Sequence, residues 1–174
     1  DWDDTTWVGG LAADDTRNQF RRTFEIPAKP LQRARCYVAA PGNHETYING
    51  GRLQNLPHEV LGSTMQFQRR IPYDAFDCLD LLKAPKNVIA TTLGRGWWAL
   101  PDGNPQTDAL GYTTLGNRSL RVLITAEFQD GSTWRLTDDG STWKHSIGPV
   151  AFESLFLGTV DTPAAVERHE RILS

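Results

Sequence analysis

The chain has 174 residues, 39% hydrophobic and 22% charged, with a net charge of −3. That length and balance give one globular domain whose core needs no metal or disulfide staple. The acidic balance argues against non-specific nucleic-acid binding, which draws on a basic face, and no apolar run reaches the roughly 18 residues of a helical membrane span.

The chain begins "DWDDTTW" without an initiator methionine, so the expectation is a mature secreted form, a cut segment, or both. The first clear element is "QFRRTFEI" at 19–26, where Phe20, Arg22, Phe24 and Ile26 alternate with Arg21, Thr23 and Glu25 in the two-residue period of a strand. "RARCYVAA" at 33–40 reads as a second strand, ended by a turn at Pro41-Gly42-Asn43. "ETYING" follows, and its Asn49-Gly50 pair predicts a tight hairpin because both residues tolerate positive φ.

"YDAFDCLDLLK" at 73–83 predicts one turn or a short helix, with Leu79, Leu81 and Leu82 facing inward. "NVIATTLG" at 87–94 is β-branched and mostly apolar, as expected of a strand inside a sheet. "SLRVLITAEFQ" at 119–129, Asp130-Gly131 and "STWRLTDD" predict a second hairpin, and "VAFESLFLG" at 150–158 offers one more strand to close a sheet. "PAAVERHERIL" at 163–173 predicts a C-terminal helix or a linker. Short strands with Gly, Pro, Asn and Asp punctuation predict an all-β, jelly-roll-like β-sandwich over residues 1–162, with 163–174 as the helix or linker.

No nucleophile elbow, zinc-protease helix, phosphate loop or paired CxxC is present. His44, His58, His145 and His169 are scattered without ligand spacing and read as exposed loop or strand-face residues. Cys36 and Cys78 are the only cysteines; each lies in an apolar segment, which fits buried thiols and leaves a single bridge open. Asn117 heads an "NRS" glycosylation sequon, usable only in a secreting eukaryote. Asp- and Asn-rich loops offer oxygen ligands for calcium but lack EF-hand spacing.

The segment "LGRGWWALPDGNPQTD" at 93–108 sets two tryptophans among glycines, prolines and polar residues. If Trp97 and Trp98 continue the preceding strand, one ring enters the core and the other faces out. An outward ring either caps the sandwich or forms a stacking platform for the C–H face of a pyranose. In the second case Arg95, Asp102 and Asn104, with Asp108 nearby, would bond the sugar's hydroxyls, in the usual form of a small-ligand site. Trp2, Trp7, Trp134 and Trp143 read as structural.

Several segments in order, "TTWVGG", "FRRTFEI", "ARCYVAAPGNHETYINGGRL", "RIPYDAFDCLDLLKAPKNVIATTLGRGWW" and "FQDGSTWRLTDDGSTWKHSIGPV", resemble the N-terminal β-sandwich domain of α-L-rhamnosidases, a family that includes rhamnose-binding carbohydrate-binding modules. The resemblance runs from about Trp7 to Gly158. It implies a secreted, non-catalytic module that recognises L-rhamnose or rhamnose-containing glycans as an accessory to a catalytic domain in a parent chain. The alternative is a structural accessory domain with no sugar affinity. Because the family's catalytic barrel is several hundred residues long, the resemblance also implies that this chain is not itself an enzyme.

On the resemblance, the binding residues are Asn55, Arg95, Trp97, Trp98, Asp102 and Asn104. The chain departs from the family at several points. Arg95 stands between two glycines where calcium-using relatives often carry Asn, and a guanidinium donates hydrogen bonds but cannot ligate a cation. The expectation is therefore no cofactor, with calcium disfavoured. The usual Asp-Val-Thr is Asp77-Cys78-Leu79, the acidic ending is "GTVDTP", and residues 53–68 follow the family poorly.

Overall fold

A computed structural model describes residues 2, 4–9, 18–55, 71–96, 98, 117–136 and 140–148, together with the backbone of 61–63, 150–154 and 158–161. Thirteen strands form in this part of the chain: β1 (Val8–Gly9), β2 (Gln19–Glu25), β3 (Leu31–Ala39), β4 (Gly42–Ile48), β5 (Gly51–Arg52), β6 (Leu61–Ser63), β7 (Asp74–Asp77), β8 (Lys86–Leu93), β9 (Ser119–Phe128), β10 (Thr133–Arg135), β11 (Lys144–Ser146), β12 (Val150–Ser154) and β13 (Gly158–Asp161). One 3₁₀ turn, Leu79–Leu81, follows β7.

Two antiparallel sheets face each other. The first runs β1-β9-β3-β7, with β10 beside β9; the second runs β11-β2-β8-β4-β5, with β6 beside β4. The all-β sandwich is thus what the alternation predicts. In the second sheet, register places Phe20, Arg22 and Phe24 opposite Thr91, Ile89 and Asn87, and His44, Thr46 and Ile48 opposite Leu93, Thr91 and Ile89. These all share the inner face. Ala34, Cys36, Val38, Phe76, Val122, Ile124 and Phe128 meet them from the first sheet in one core. Burying a side chain such as Phe76 or Phe128 fully contributes about 1.5–3 kcal/mol.

Both predicted hairpins form. Asn49 (φ 51) and Gly50 (φ 83) take the left-handed conformation between β4 and β5. The Asp130-Gly131 turn joins β9 to β10, where Lys29 Nζ reaches Asp130 Oδ2 at 2.7 Å and Ser132 Oγ at 3.0 Å. Those hydrogen bonds, with others from Ser132, hold the Asp130 carboxyl well below the usual carboxylate range.

Three elements differ from expectation. Pro41-Gly42-Asn43 is no hairpin turn; it carries the chain from β3 in one sheet into β4 in the other. The 73–83 segment forms strand β7 before its single 3₁₀ turn; Leu82 is buried, and Leu79 and Leu81 pack on the core. The 150–158 segment does not join either sheet: β12 pairs with β13 in a separate hairpin. The proposed helix or linker at 163–174 lies outside the described residues.

Cys36, on the inner face of β3, and Cys78, between β7 and the 3₁₀ turn, are both buried free thiols. Burial pushes the Cys36 thiol well up, with Cys78 adding to the rise. It pushes Cys78 up to about 12, with the Asp77 charge adding and Arg35 opposing.

Candidate functional site

The site begins where β8 ends. Strand pairing stops at Leu93 because Gly94 and Gly96 follow, and Gly96 adopts φ +52. Gly94 N still donates to Asn43 O at 2.8 Å, so the chain turns over the start of β4 instead of leaving the sandwich. Contact there is close. A Cβ on Gly42, itself at φ +108, would sit 2.7 Å from Arg95 O and 2.8 Å from Gly94 O. A Cβ on Gly96 would sit 2.9 Å from Gly42 Cα. Gly42 and Gly96 therefore let the 94–96 turn lie directly on the crossover between the two sheets, and this fixes where the half-buried Arg95 departs from the body of the domain.

Trp98 lies past the end of β8 and does not continue the strand. Its ring is half-buried, and its indole Nε1 donates to Asn117 O at 3.0 Å. The bond ties the exit of β8 to the residues just before β9. Trp98 is thereby a pin between the segment after β8 and the segment before β9. Its acceptor belongs to the sequon asparagine, itself half-buried.

Asn55 is exposed and lies past β5, where Leu53 N donates to Thr46 O at 2.8 Å and the chain heads back along β4 toward Gly42. The structure thus brings Arg95 and Trp98 to one end of the sandwich, with Asn55 approaching along the sheet edge. Trp97, Asp102 and Asn104, with Asp108, lie outside the described residues. Arg95 has donors only and cannot itself ligate a cation. Among the described residues no group of three or more His, Cys, Asp or Glu side chains could hold a metal ion.

The remaining tryptophans divide. Trp143 is buried in the core, and Trp134 stacks on Phe24 with ring centroids 5.9 Å apart at 18°. Trp2 meets the edge of Tyr73 at 5.7 Å and carries the Arg121 guanidinium over its ring at 5.6 Å. Arg121 also donates to Thr5 Oγ1 and Thr5 O, each at 2.7 Å, and to Trp2 O, which straps the N-terminal segment across the first sheet. Trp7 departs from a purely structural reading, being 40% exposed.

One pair escaped the sequence reading. His44 is buried, not on an exposed loop or strand face as expected; its Nε2 lies 2.9 Å from Asp74 Oδ2 and its Nδ1 3.1 Å from Thr46 Oγ1. The signal was the two-residue period of "GNHETYI", which places His44 inward with Gly42, Thr46 and Ile48. Carboxylate, imidazole and hydroxyl in series look like a nucleophilic triad, but Thr46 is fully buried and bonded onward to Thr91, so its hydroxyl cannot meet a substrate.

Comparison with known proteins adds the family. The model of the alpha-L-rhamnosidase N-terminal domain matches residues 29–169. An alpha-L-rhamnosidase of Formosa agariphila is 26% identical over 155 residues, which are 87% of this chain and 15% of that protein. Among solved structures, native alfa-L-rhamnosidase from Aspergillus terreus aligns with a TM-score of 0.71 at 27% identity, covering 91% of this chain and 18% of that one. The Streptomyces avermitilis alpha-L-rhamnosidase complexed with L-rhamnose aligns with a TM-score of 0.68 at 26% identity, covering 86% and 14%. The chain spans under one fifth of the length of each of these relatives, in the part that the family model describes, and it belongs to the alpha-L-rhamnosidase N-terminal domain family.

Proposed function

We propose that this domain is a non-catalytic carbohydrate-binding module that recognises L-rhamnose or rhamnose-containing glycans outside the cell, as an accessory to a rhamnosidase or another polysaccharide-degrading enzyme. The observation that carries the reading is the placement of Arg95 on the Gly94–Gly96 turn, seated on Gly42 at one end of the sandwich. A guanidinium there presents several donors in a fixed fork, and a sugar hydroxyl is a ready acceptor. The family relationship supports the reading, because one relative was crystallised with L-rhamnose. In this reading Arg95 donates directly to sugar hydroxyls in the place of a bridging cation.

The second reading, a structural domain that packs on a catalytic partner, is favoured by one observation: the Trp98 indole N–H is used within the domain, on the Asn117 carbonyl. Calorimetric titration with L-rhamnose, run with calcium and again with a chelator, separates the two. Saturable heat that survives chelation and drops about tenfold or more in affinity in Arg95→Met supports the module. Absence of heat with rhamnose and with rhamnose-containing oligosaccharides leaves the structural domain.

A further inference from the structure

The inner face of the second sheet carries a hydrogen-bonded series that packing alone does not require. Thr91 and Thr46 are cross-strand partners with hydroxyls 3.1 Å apart. Thr46 Oγ1 lies 3.1 Å from His44 Nδ1, and His44 Nε2 lies 2.9 Å from Asp74 Oδ2. A carboxylate can only accept, so Nε2 carries a proton and donates to Asp74, while the Thr46 hydroxyl sits between Nδ1 and the Thr91 hydroxyl. The series runs from the middle of the core to Asp74. Such a series is expensive to bury unless each member is satisfied, and satisfied it is rigid.

Its two ends differ. The His44 side chain is sealed at 0% exposure, whereas the Asp74 side chain is 33% exposed. The bond also crosses between sheets, from β4 to β7. Register places its mouth at the end already described: His44 pairs with Leu93, two residues before Arg95, and Asp74 pairs with Val38, four residues before Gly42. A donor-only guanidinium and an acceptor-only carboxylate thus share one end of the sandwich. A hydroxyl both donates and accepts, so a sugar bearing several hydroxyls can bond to either group. A guanidinium alone would serve a carboxylate or sulfate equally well. The Asp74 charge turns such anions away.

We propose that Asp74 is a ligand-contacting, specificity-determining residue: its carboxylate accepts a hydrogen bond from a sugar hydroxyl and selects neutral sugars over acidic ones, with His44 as its positioning residue. This rests on the carbohydrate-binding reading above.

The test is calorimetry of the wild-type chain and Asp74→Asn with L-rhamnose, its monodeoxy analogues and D-galacturonate. Asn keeps an acceptor for His44, so the fold is expected to persist, checked by thermal melts. The expected results are at least a tenfold loss of L-rhamnose affinity in Asp74→Asn and a preference shifted toward D-galacturonate. One monodeoxy analogue should bind the wild type about tenfold more weakly than L-rhamnose does, yet bind Asp74→Asn no more weakly than L-rhamnose does. His44→Gln should lower affinity for L-rhamnose but not for that same analogue, a pattern that simple destabilisation would not give. Wild-type binding with Asp74→Asn unchanged overturns this inference alone. So does equal binding of all monodeoxy analogues to the wild type, which needs no variant to fold. Absence of wild-type binding to any of these sugars overturns the carbohydrate reading and this inference together.

Discussion

The Asn49 side chain donates from Nδ2 to Asn87 Oδ1 at 2.8 Å, joining the β4–β5 hairpin turn to the start of β8. The same Nδ2 reaches Leu81 O at 2.8 Å, Asn49 Oδ1 accepts from Val88 N at 2.9 Å, and Asn87 Oδ1 also accepts from Lys83 N at 2.7 Å. Two amides therefore hold a turn, the 3₁₀ segment and a central strand together. Asn87→Ala strips the shared acceptor from two donors and is expected to destabilise the domain by about 2–4 kcal/mol. Urea unfolding measures it; a loss below 1 kcal/mol would mean that water replaces the side chain.

Trp134 of β10 stacks on Phe24 of β2, so an edge of the first sheet is tied to the second by two rings. Trp134 is half-buried, and Trp134→Ala removes both its packing and the ring contact. The expected loss is about 2–3 kcal/mol, with Trp134→Phe recovering most of it. Thermal melts of the two variants, followed by near-ultraviolet circular dichroism, decide it.

The residues that made the fold legible are those whose local chemistry and tertiary role agree. Asn49-Gly50 needs positive φ wherever it lies, and the alternation of 19–26 survives unchanged in the inner set Phe20, Arg22 and Phe24. Pro41-Gly42 misled because turn residues also serve a crossover between sheets, where the need is close approach to Arg95 and not chain reversal. The place of Arg95 on a turn was legible from its flanking glycines. The role of Trp98 was not, because its partner, the Asn117 carbonyl, is a backbone atom 19 residues away that no pattern announces. Asp74 was missed for a similar reason: a lone carboxylate acquires meaning only when β4 and β7 bring His44 to it.

The two buried thiols predict an alkaline limit. Folding raises both above the ordinary value, so the native state holds these protons more tightly than the unfolded chain. Their contribution to stability is complete below about pH 8.5, where an unfolded thiol is protonated, and is lost as pH rises toward the folded values. Stability measured by urea unfolding should decline between pH 9 and pH 11, and Cys78→Ala should flatten that decline. A disulfide reagent at pH 8 should leave both thiols unreacted until urea unfolds the chain, and rapid native labelling would contradict the burial.

Trp98→Phe isolates the indole bond. The ring is kept, the N–H to Asn117 O is lost, and stability should fall by about 1 kcal/mol. Urea unfolding measures the loss, and a variant as stable as the wild type would show that the pin is dispensable.

Glycines at Gly42 and Gly131 separate backbone strain from crowding. Both adopt positive φ, +108 and +79, so alanine is unfavourable at each by about 1–2 kcal/mol. Around Gly131 a new Cβ meets nothing within 4 Å; on Gly42 it strikes Arg95 O at 2.7 Å and Gly94 O at 2.8 Å. Backbone cannot swing aside as a side-chain tip can, so Gly42→Ala must lift the 94–96 turn from the crossover and carry Arg95 with it. The expected outcome is a larger loss of stability in Gly42→Ala than in Gly131→Ala. L-rhamnose affinity should fall only in Gly42→Ala, since Gly131 lies in the β9–β10 turn, away from Arg95. Equal affinity in the two variants would show that the position of Arg95 does not govern binding.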